Sequence, residues 1–213
     1  QFRHMGHAYQ DDRYPIQFKY CGSAAGSDVS RNSITSSNQR CISIDGTSDV
    51  TVSNNTALEA PGMCYHIGNE AENNIFEKNI AALSKSMSTG TSYPHDGYGP
   101  SFSYYSPNND FIGNVAAGGD GYGFISWLNS AMKTESGAYS AALGNPRYMD
   151  YGLFKDNVAH SYQKRGMEFR YFEQGIQANK AKGIKQLVME NVKSYRNKLS
   201  GIRLHYGQGA TLK

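Results

Sequence analysis

A parallel β-helix is the fold that this sequence predicts, and three observations support it. One five-residue motif recurs six times along the 213 residues. Glycine is abundant (23), tyrosine reaches 16 and proline only 6, a composition typical of short strands joined by tight turns. Two of the cysteines are separated by the shortest interval of the motif. Because each repeat is too short to bury its own apolar face, stacked repeats must share one core.

The motif consists of an apolar residue, two variable residues, asparagine, and a small or β-branched residue. The intervals between successive asparagines are 23, 24, 35, 43 and 34 residues, so a basal coil has about 23 residues. We expect these asparagines to sit at a corner with positive φ and to hydrogen-bond from coil to coil as a structural ladder. The predicted ladder residues are Asn32, Asn55, Asn79, Asn114, Asn157 and Asn191.

A second strand follows several copies of the motif, at 123–127, 166–169 and 201–206, each opened by glycine and partly alternating. The longer intervals predict insertions at the corners of the coils, because they exceed one basal coil. Loops on one side of a solenoid commonly form its binding surface. The predicted insertions are Ser84–Tyr105, Asn129–Tyr148 and Phe172–Lys182, and the tyrosines expected in exposed loops are Tyr93, Tyr98, Tyr104, Tyr105, Tyr139 and Tyr148.

The whole chain, residues 1–213, is predicted to be one β-helix segment of a larger extracellular protein. It has neither a signal-peptide pattern nor an apolar run long enough to span a membrane. Residues 1–150 hold 9 basic and 14 acidic side chains, whereas residues 151–213 hold 12 and 4. The basic third could meet an anionic polymer, but solvated lysines on the outside of a solenoid are the simpler explanation and the preferred one. No nucleic-acid-binding signature, metal-ligand spacing or cofactor motif is present, so none of these partners is expected.

Cys41 and Cys64 are 23 residues apart and should therefore occupy equivalent positions on adjacent coils, about 4.8 Å from each other. That separation permits a disulfide, and a stacked pair of buried thiols is the alternative. Cys21 is left over, either free, buried or paired outside this segment. The sequence Asn54-Asn55-Thr56 is a glycosylation sequon, and Asn54 should face away from the inward ladder residue Asn55.

Several blocks of the sequence, in order, resemble the cell-migration-inducing hyaluronidase and fibrocystin-like family. Arg13-Tyr14-Pro15-Ile16 with Phe18 resembles its Arg-Tyr-Pro-Ile-His-Phe-His, and Arg40-Cys41 with Gly62-Met63-Cys64 resembles its two cysteine motifs. The segments 107–118 and 157–161 resemble its Pro-Asn-Asn and Asn-x-Ala-His-Ser blocks. The resemblance spans about residues 5–169 and implies a right-handed parallel β-helix.

The same resemblance implies that the family's groove has been altered in this chain. Family histidines fall at Gln17, Lys19, Asp45 and Met63, and a family Glu-Asp pair falls at Gly68 and Asn69. Cleaving a glycosidic bond requires groups that exchange protons near neutral pH or a pair of carboxylates, and glutamine and methionine cannot supply them. Candidate substitutes on the same coils are Asp11, Asp12, Asp45, Glu70, Glu72 and His66.

These observations favour a non-catalytic structural or glycan-binding module of a cell-surface or extracellular assembly. Its partner would be a polysaccharide or glycoprotein, other copies of itself, or the rest of its parent chain. The alternatives are a hyaluronidase-like enzyme that depolymerises an acidic polysaccharide and a subunit of an extracellular filament, since open coil edges template stacking. The glycan-binding candidates are Arg13, Lys19, Arg40, Asp45, His66, Tyr104 and Tyr105.

Overall fold

The predicted parallel β-helix is confirmed. The computed structural model describes residues 1–87, 94–136, 138–174 and 181–213. In chain order the elements are β1 (Phe2–Arg3), β2 (Ile16–Ser23), β3 (Asp28–Ser30), β4 (Ser33–Thr35), β5 (Ile42–Ser48), β6 (Thr51–Ser53), β7 (Thr56–Leu58), β8 (Tyr65–Ile67), β9 (Ile75–Glu77), β10 (Ile80–Ser84), the 3₁₀ turn η1 (Pro94–Tyr98), β11 (Phe102–Tyr104), β12 (Asp110–Ile112), β13 (Val115–Gly119), β14 (Tyr122–Trp127), β15 (Met132–Lys133), β16 (Tyr139–Ser140), η2 (Ala141–Leu143), η3 (Pro146–Tyr148), β17 (Phe154–Lys155), β18 (Val158–Tyr162), β19 (Arg165–Arg170), β20 (Leu187–Glu190), β21 (Lys193–Tyr195), β22 (Ser200–His205) and β23 (Ala210–Leu212).

The strands form three parallel sheets of seven strands each. Sheet 1 contains β1, β4, β7, β10, β13, β18 and β21; sheet 2 contains β2, β5, β8, β11, β14, β19 and β22; sheet 3 contains β3, β6, β9, β12, β17, β20 and β23. The chain visits the sheets in the order 1, 2, 3, and one such circuit is a coil. The described residues therefore build seven coils, numbered here from the amino-terminal end.

The core is a column of side chains that point inward at the same register position in successive coils. In sheet 2, Tyr65 pairs with Phe102 and Phe102 pairs with Phe124. Their rings stack with centroids 4.7 Å apart in both steps, which matches the spacing between neighbouring strands. In sheet 3, Phe76 stacks on Phe111 in the same way, at 5.4 Å. Burying each aromatic ring stabilises the fold by roughly 1.5–3 kcal/mol, so the column supplies much of the stability.

A ladder of buried asparagines stands at the corner between sheets 3 and 1. The backbone N–H and the side-chain amide of Asn55 both donate to Asn79 Oδ1 at 3.0 Å, and the other amide hydrogen of Asn55 bonds to the Val29 carbonyl at 2.7 Å. The same pattern joins the ladder residues Asn32, Asn55, Asn79, Asn114 and Asn157. Positive φ, predicted for the asparagine itself, belongs instead to the residue before it, because the ladder asparagine starts the next strand with its side chain inward.

Asn191 was predicted as the sixth rung, and this prediction is wrong. Met189 pairs with Phe154, so Val192 aligns with the rung Asn157 and Asn191 aligns with the preceding residue, Asp156. Asn191 accordingly has φ of 49°, is exposed, and donates to Asp156 Oδ1 at 2.6 Å. Val188 and Met189 are both apolar, so the motif can be started at either residue. Only the strand register shows that Met189 is the residue that corresponds to Phe154.

A second, shorter ladder occurs at the corner between sheets 2 and 3, and the repeat motif gave no sign of it. The Val50 N–H donates to Asn74 Oδ1 at 2.9 Å, and both the N–H and the side-chain amide of Asn74 donate to Asn109 Oδ1 at 2.9 Å. Both asparagines are buried. Their amides satisfy backbone groups that the tight corner would otherwise leave unpaired.

Cys41 and Cys64 lie at equivalent positions just before β5 and β8, with Cα atoms 4.6 Å apart, and a disulfide joins them. Cys21 is free and exposed. Asn54, the sequon residue, is exposed with φ of 55° at the turn position before its rung. No helix among the described residues is long and apolar enough to cross a membrane.

The three insertions all adjoin sheet 2. Residues 85–101 enter between β10 and β11, at the start of the sheet 2 strands, whereas 128–153 and 171–186 follow β14 and β19 at their other end. The predicted first insertion, Ser84–Tyr105, extended too far, because β11 (Phe102–Tyr104) is a strand of sheet 2. Parts of the insertions, including Tyr93, lie outside the described residues. Sheet 2 thus carries inserted chain along both edges of its outer face.

Candidate functional site

The outer face of sheet 2 presents two rows of side chains, because every second residue of each strand points away from the core. Strand register sets both rows. The first row contains Gln17, Ser43, His66, Ser103, Ile125, Glu168 and Arg203. The second contains Lys19 and Asp45 in coils 1 and 2 and Trp127, Arg170 and His205 in coils 5 to 7. Most are polar, and several are fully buried, so inserted chain must cover part of the face.

The described residues of the first insertion, 85–87 and 94–101, cover coils 2 to 4 and are held there by a buried ion pair. Arg40 and Asp96 are both 0% exposed, with Arg40 Nε 3.5 Å from Asp96 Oδ1. Asp96 also accepts hydrogen bonds from the Met63 N–H at 3.0 Å and from Gln39 Nε2 at 3.2 Å. The Arg40 guanidinium lies 4.6 Å from the centre of the Tyr14 ring. An ion pair and hydrogen bonds therefore hold this insertion against the sheet, and packing on the Tyr14 ring supports Arg40.

Glycine is needed at position 62 for Asp96 to make these contacts. Gly62 has φ of +80°, and a Cβ atom there would lie 2.8 Å from Asp96 Oδ1. Any side chain would therefore both strain the backbone and displace the carboxylate.

Beneath this cover lies a chain of polar groups with the residue types of an acid–base site. Ser43 Oγ donates to Asp45 Oδ2 at 3.0 Å, Asp45 Oδ1 lies 3.7 Å from His66 Nε2, and His66 Nδ1 lies 2.8 Å from Ser103 Oγ. Burial raises the pKa of Asp45, and burial, with the nearby Arg40 charge, holds the pKa of His66 well below its usual range. Near neutral pH His66 is therefore uncharged.

Solvent reaches little of this row of polar groups. His66 is 0% exposed and Ser103 is 1% exposed, so neither the ring nor the hydroxyl can meet a polymer, and only Asp45, with 15% of its side chain exposed, reaches the surface. The distance between Asp45 and His66 also exceeds a hydrogen bond. In this structure His66 and Ser103 therefore belong to the covered half of the face.

The 128–153 insertion covers coils 1 to 3 from the opposite edge. The Tyr20 hydroxyl donates to the Thr134 carbonyl at 2.9 Å, and Asn129 Nδ2 donates to Asn69 Oδ1 at 3.4 Å. Burial, together with the Glu70 and Asp45 carboxylates, raises the pKa of Tyr20 to about 12. The region around Tyr20 is thus acidic, and it lies at the amino-terminal end of the face.

Coils 5 to 7 carry a row of aromatic rings, which we call the aromatic strip: Trp127 and Tyr171, which are half-buried, and the exposed Tyr206. The Trp127 and Tyr171 rings are 5.7 Å apart, and Tyr171 and Tyr206 stack at 5.5 Å with planes within 10°. Tyr206 is 67% exposed. On its other side Trp127 contacts His95 of the first insertion, with ring centroids 4.1 Å apart. The exposed Tyr206 ring at the end of the row is suited to stacking against a sugar ring.

Beside the strip lies a group we call the arginine cluster: Arg165, Arg170 and Arg203 around the buried carboxylate of Glu168. Glu168 is 0% exposed, and its oxygens lie 3.2 Å from Arg165, 2.5 Å from Arg170 and 3.6 Å from Arg203. His205 Nδ1 lies 3.8 Å from the same carboxylate. The Arg170 guanidinium also covers Trp127, 4.3 Å from the ring centre, and so joins the cluster to the strip.

Four of the seven predicted glycan-binding residues prove to be buried, and those predictions are wrong. Arg40 pairs with Asp96, and His66 lies beneath the first insertion. Tyr104 points into the core, where it packs on Phe111 with centroids 4.7 Å apart. Tyr105 is covered by His95, whose ring nitrogen contacts its hydroxyl.

Arg13, Lys19 and Asp45 remain within reach of solvent, and Lys19 pairs with Asp12. Among the other predicted tyrosines, Tyr139 and Tyr148 are exposed and Tyr98 is half-buried. The seven predicted residues do not form one site.

The aromatic strip and the arginine cluster were both missed from the sequence. A signal was present, since the strands at 166–169 and 201–206 alternate and the C-terminal third is basic. Assigning the outward residues of those strands to one row requires the register between coils, which the motif spacing alone does not provide. Among the described residues, no group of three or more His, Cys, Asp or Glu side chains is arranged to hold a metal ion.

The fold and this face define a parallel β-helix with one loop-flanked, partly covered sheet that bears charged and aromatic side chains. Comparison with known proteins is consistent with that class, because the CEMIP beta-helix family model matches residues 1–167. The chain belongs to the CEMIP β-helix family.

Similar proteins come from animals and a social amoeba. The human cell surface hyaluronidase CEMIP2 is 27% identical over 210 aligned positions, 83% of this chain and 14% of that protein. A zebrafish (Danio rerio) cell surface hyaluronidase is 26% identical over 230 aligned positions, 92% of this chain and 16% of its length. Communication mutant protein F of Dictyostelium discoideum is 32% identical over 136 positions, 56% and 12% of the two chains. The chain thus spans less than a fifth of the length of these relatives.

Proposed function

We propose that this β-helix is a non-catalytic module that binds a polysaccharide at the cell surface or outside the cell. The observation that carries the proposal is the aromatic strip along coils 5 to 7, whose outermost ring, Tyr206, is 67% exposed. The rings follow the coil axis at intervals close to the spacing of the coils, so an extended polymer can contact several of them together. Two of the similar proteins are named cell surface hyaluronidases, which supports a glycan as the ligand and an extracellular location.

The covered half of the face supports a binding role over a catalytic one. A general acid or base must come within hydrogen-bond reach of its substrate. His66 and Ser103 are closed off by an insertion that the Arg40–Asp96 pair fastens down. The open half has one carboxylate–imidazole pair, Glu168 and His205 at 3.8 Å, but its carboxylate is 0% exposed and is contacted by three arginines.

Titration calorimetry with hyaluronan and with neutral polysaccharides tests the proposal. Tyr206→Ala should weaken binding about fivefold, the equivalent of about 1 kcal/mol for a lost stacking contact. Tyr195→Ala is the matched control, because Tyr195 is another exposed tyrosine of coil 7 that stacks on a ring one coil below, His160, but lies on sheet 1. Equal effects of the two substitutions, or no binding by the unmodified protein, would contradict the proposal.

A hyaluronidase-like depolymerising activity is the second candidate, and one observation favours it. Asp45 reaches the surface, has a raised pKa and lies beside His66, so opening of the covering insertions would expose a proton donor. A reducing-end assay with uronic-acid polymers distinguishes the candidates. Sustained turnover that Asp45→Asn abolishes would replace the binding proposal with the enzymatic one, whereas no turnover supports binding alone.

A further inference from the structure

The arginine cluster carries more positive charge than its buried partner neutralises. Guanidinium groups stay protonated at all physiological pH values, so three arginines around one carboxylate leave a surplus of two positive charges. Within the described part of the chain, Glu168 is the only carboxylate within 4.0 Å of any of the three guanidiniums. These arginines are only partly solvated, so charge that is not balanced locally is costly, and an incoming anion would balance it.

The geometry directs this surplus outward. Glu168 is 0% exposed and lies under the arginines, whereas 36% of the Arg203 side chain faces solvent. Glu168 contacts Arg170 through Nε, and the two terminal amino groups of Arg170 lie outside that contact. Each guanidinium has five N–H donors in a rigid fork, far more than two carboxylate oxygens can accept. The carboxylate therefore holds the arginines in fixed positions while leaving donors for a second anion.

The opposite end of the face has the reverse charge. Tyr20 in coil 1 lies close enough to Asp12, Asp45, Glu70 and Glu135 for their charges to raise its pKa. Lys19 pairs with Asp12 and so offsets only part of this negative charge. A polyanion is repelled from this end and attracted to coils 6 and 7, which gives an anionic ligand one preferred position along the face.

We infer that the arginine cluster is an anion-binding subsite, which takes a carboxylate or sulfate group carried by a glycan whose rings stack on the aromatic strip. The contact between Arg170 and Trp127, at 4.3 Å, makes the two surfaces continuous. This inference rests on the proposed glycan-binding function and adds to it the charged group, its position and the residues that hold it. Carboxylate and sulfate both match the arginine fork, so binding experiments must separate them.

The test uses the intact protein with five probes: glucuronate, inorganic sulfate, the carboxylated polymer hyaluronan, neutral dextran and dextran sulfate. Trp127 is the single tryptophan of the chain, so its fluorescence reports directly on a ligand that contacts Arg170. Arg203→Gln removes the most exposed guanidinium of the cluster and leaves Glu168 paired with Arg165 and Arg170. Arg196→Gln is the matched control, an exposed arginine of the turn after β21 in coil 7, away from the sheet 2 face.

Arg203→Gln should weaken the anionic polymer about tenfold and leave dextran binding unchanged, since a hydrogen bond to a charged group is worth about 1.5–3 kcal/mol. Arg196→Gln should change neither by more than about twofold, as expected for a solvated surface charge. A response to glucuronate and hyaluronan identifies a carboxylate site, and a response to sulfate and dextran sulfate identifies a sulfate site. Either result supports the subsite.

Two results would overturn it. If Arg203→Gln weakens the binding of neutral and anionic polymers equally, or changes the binding of neither, the cluster binds no anion. The effect of Tyr206→Ala then still tests the glycan-binding proposal on its own. If no polymer binds but glucuronate or sulfate still changes the Trp127 signal in an Arg203-dependent way, the anion subsite stands and the glycan proposal fails. Absence of every response overturns both.

Discussion

Replacing Glu168 with glutamine tests whether the carboxylate holds the arginines in position or only reduces the net charge of the arginine cluster. The side chain keeps its size but loses its charge. Glu168 is 0% exposed and contacts three guanidiniums at 2.5, 3.2 and 3.6 Å, so the substitution leaves like charges facing one another in a poorly solvated place. Removing one partner from a buried ion pair typically costs about 3–5 kcal/mol of unfolding free energy. For a chain of this size that loss lowers the melting temperature by roughly 6–20 °C.

The effect on ligand binding is the sharper part of the prediction. Glutamine raises the local charge by one, so charge alone predicts tighter binding of hyaluronan. We expect weaker binding, because the arginines lose the carboxylate that fixes their orientation. Urea unfolding and calorimetry measure the two effects on the same samples, below the melting temperature. Glu190→Gln is the control, since Glu190 is half-exposed, pairs with Lys155 at 2.8 Å on sheet 3, and should cost no more than about 1 kcal/mol.

Tighter hyaluronan binding by the folded Glu168→Gln protein would refute the view that the carboxylate positions the arginines. A stability loss no larger than that of Glu190→Gln would refute the view that Glu168 is a buried counterion. Retention of affinity by Glu168→Asp, which keeps the charge, is expected only if the charge and not the length of the side chain matters.

Two further predictions concern the scaffold. Asn79→Ala should lower the unfolding free energy by about 2–4 kcal/mol in urea titrations, because it breaks buried hydrogen bonds to both neighbouring coils. The control Asn191→Ala should lower it by less than about 1 kcal/mol. Similar losses for the two variants would mean that the ladder contributes little to stability. Burial, with the Arg170 and Lys133 charges, lowers the pKa of His95 to about 4, so the stability linked to its neutral form is complete above about pH 6.5 and is lost as the pH falls toward 4. The loss should approach about 3 kcal/mol in unfolding titrations at several pH values, and an identical pH profile for His95→Gln would contradict this assignment.

The face of sheet 2 has two halves that differ in access as well as charge. Coils 1 to 4 hold Gln17, Lys19, Asp45 and Met63, where the resemblance places the altered groove, and inserted chain covers part of this half. Coils 5 to 7 lie beyond most of that cover and present the aromatic strip and the arginine cluster.

Features that depend on the repeat were predictable from the sequence. A period near 23 residues implies stacked coils, and equal spacing places Cys41 over Cys64 and Asn55 over Asn79, as the structure has them. Periodicity is a local property, since each coil contacts only its neighbours. The misplacement of Asn191 marks the limit of this reasoning, because two adjacent apolar residues allow two registers and only pairing with Phe154 chooses between them.

The sequence by itself therefore determined the β-helix, its coil length and the rungs that hold it together. Only the tertiary structure decided which polar residues of the outer face meet solvent. Alternation along a strand predicts that Ser43 and His66 point outward, but it cannot predict that residues 85–101 return over them and are fastened there by Arg40 and Asp96. Exposure is a property of the path of the whole chain, because groups far apart in sequence provide the cover.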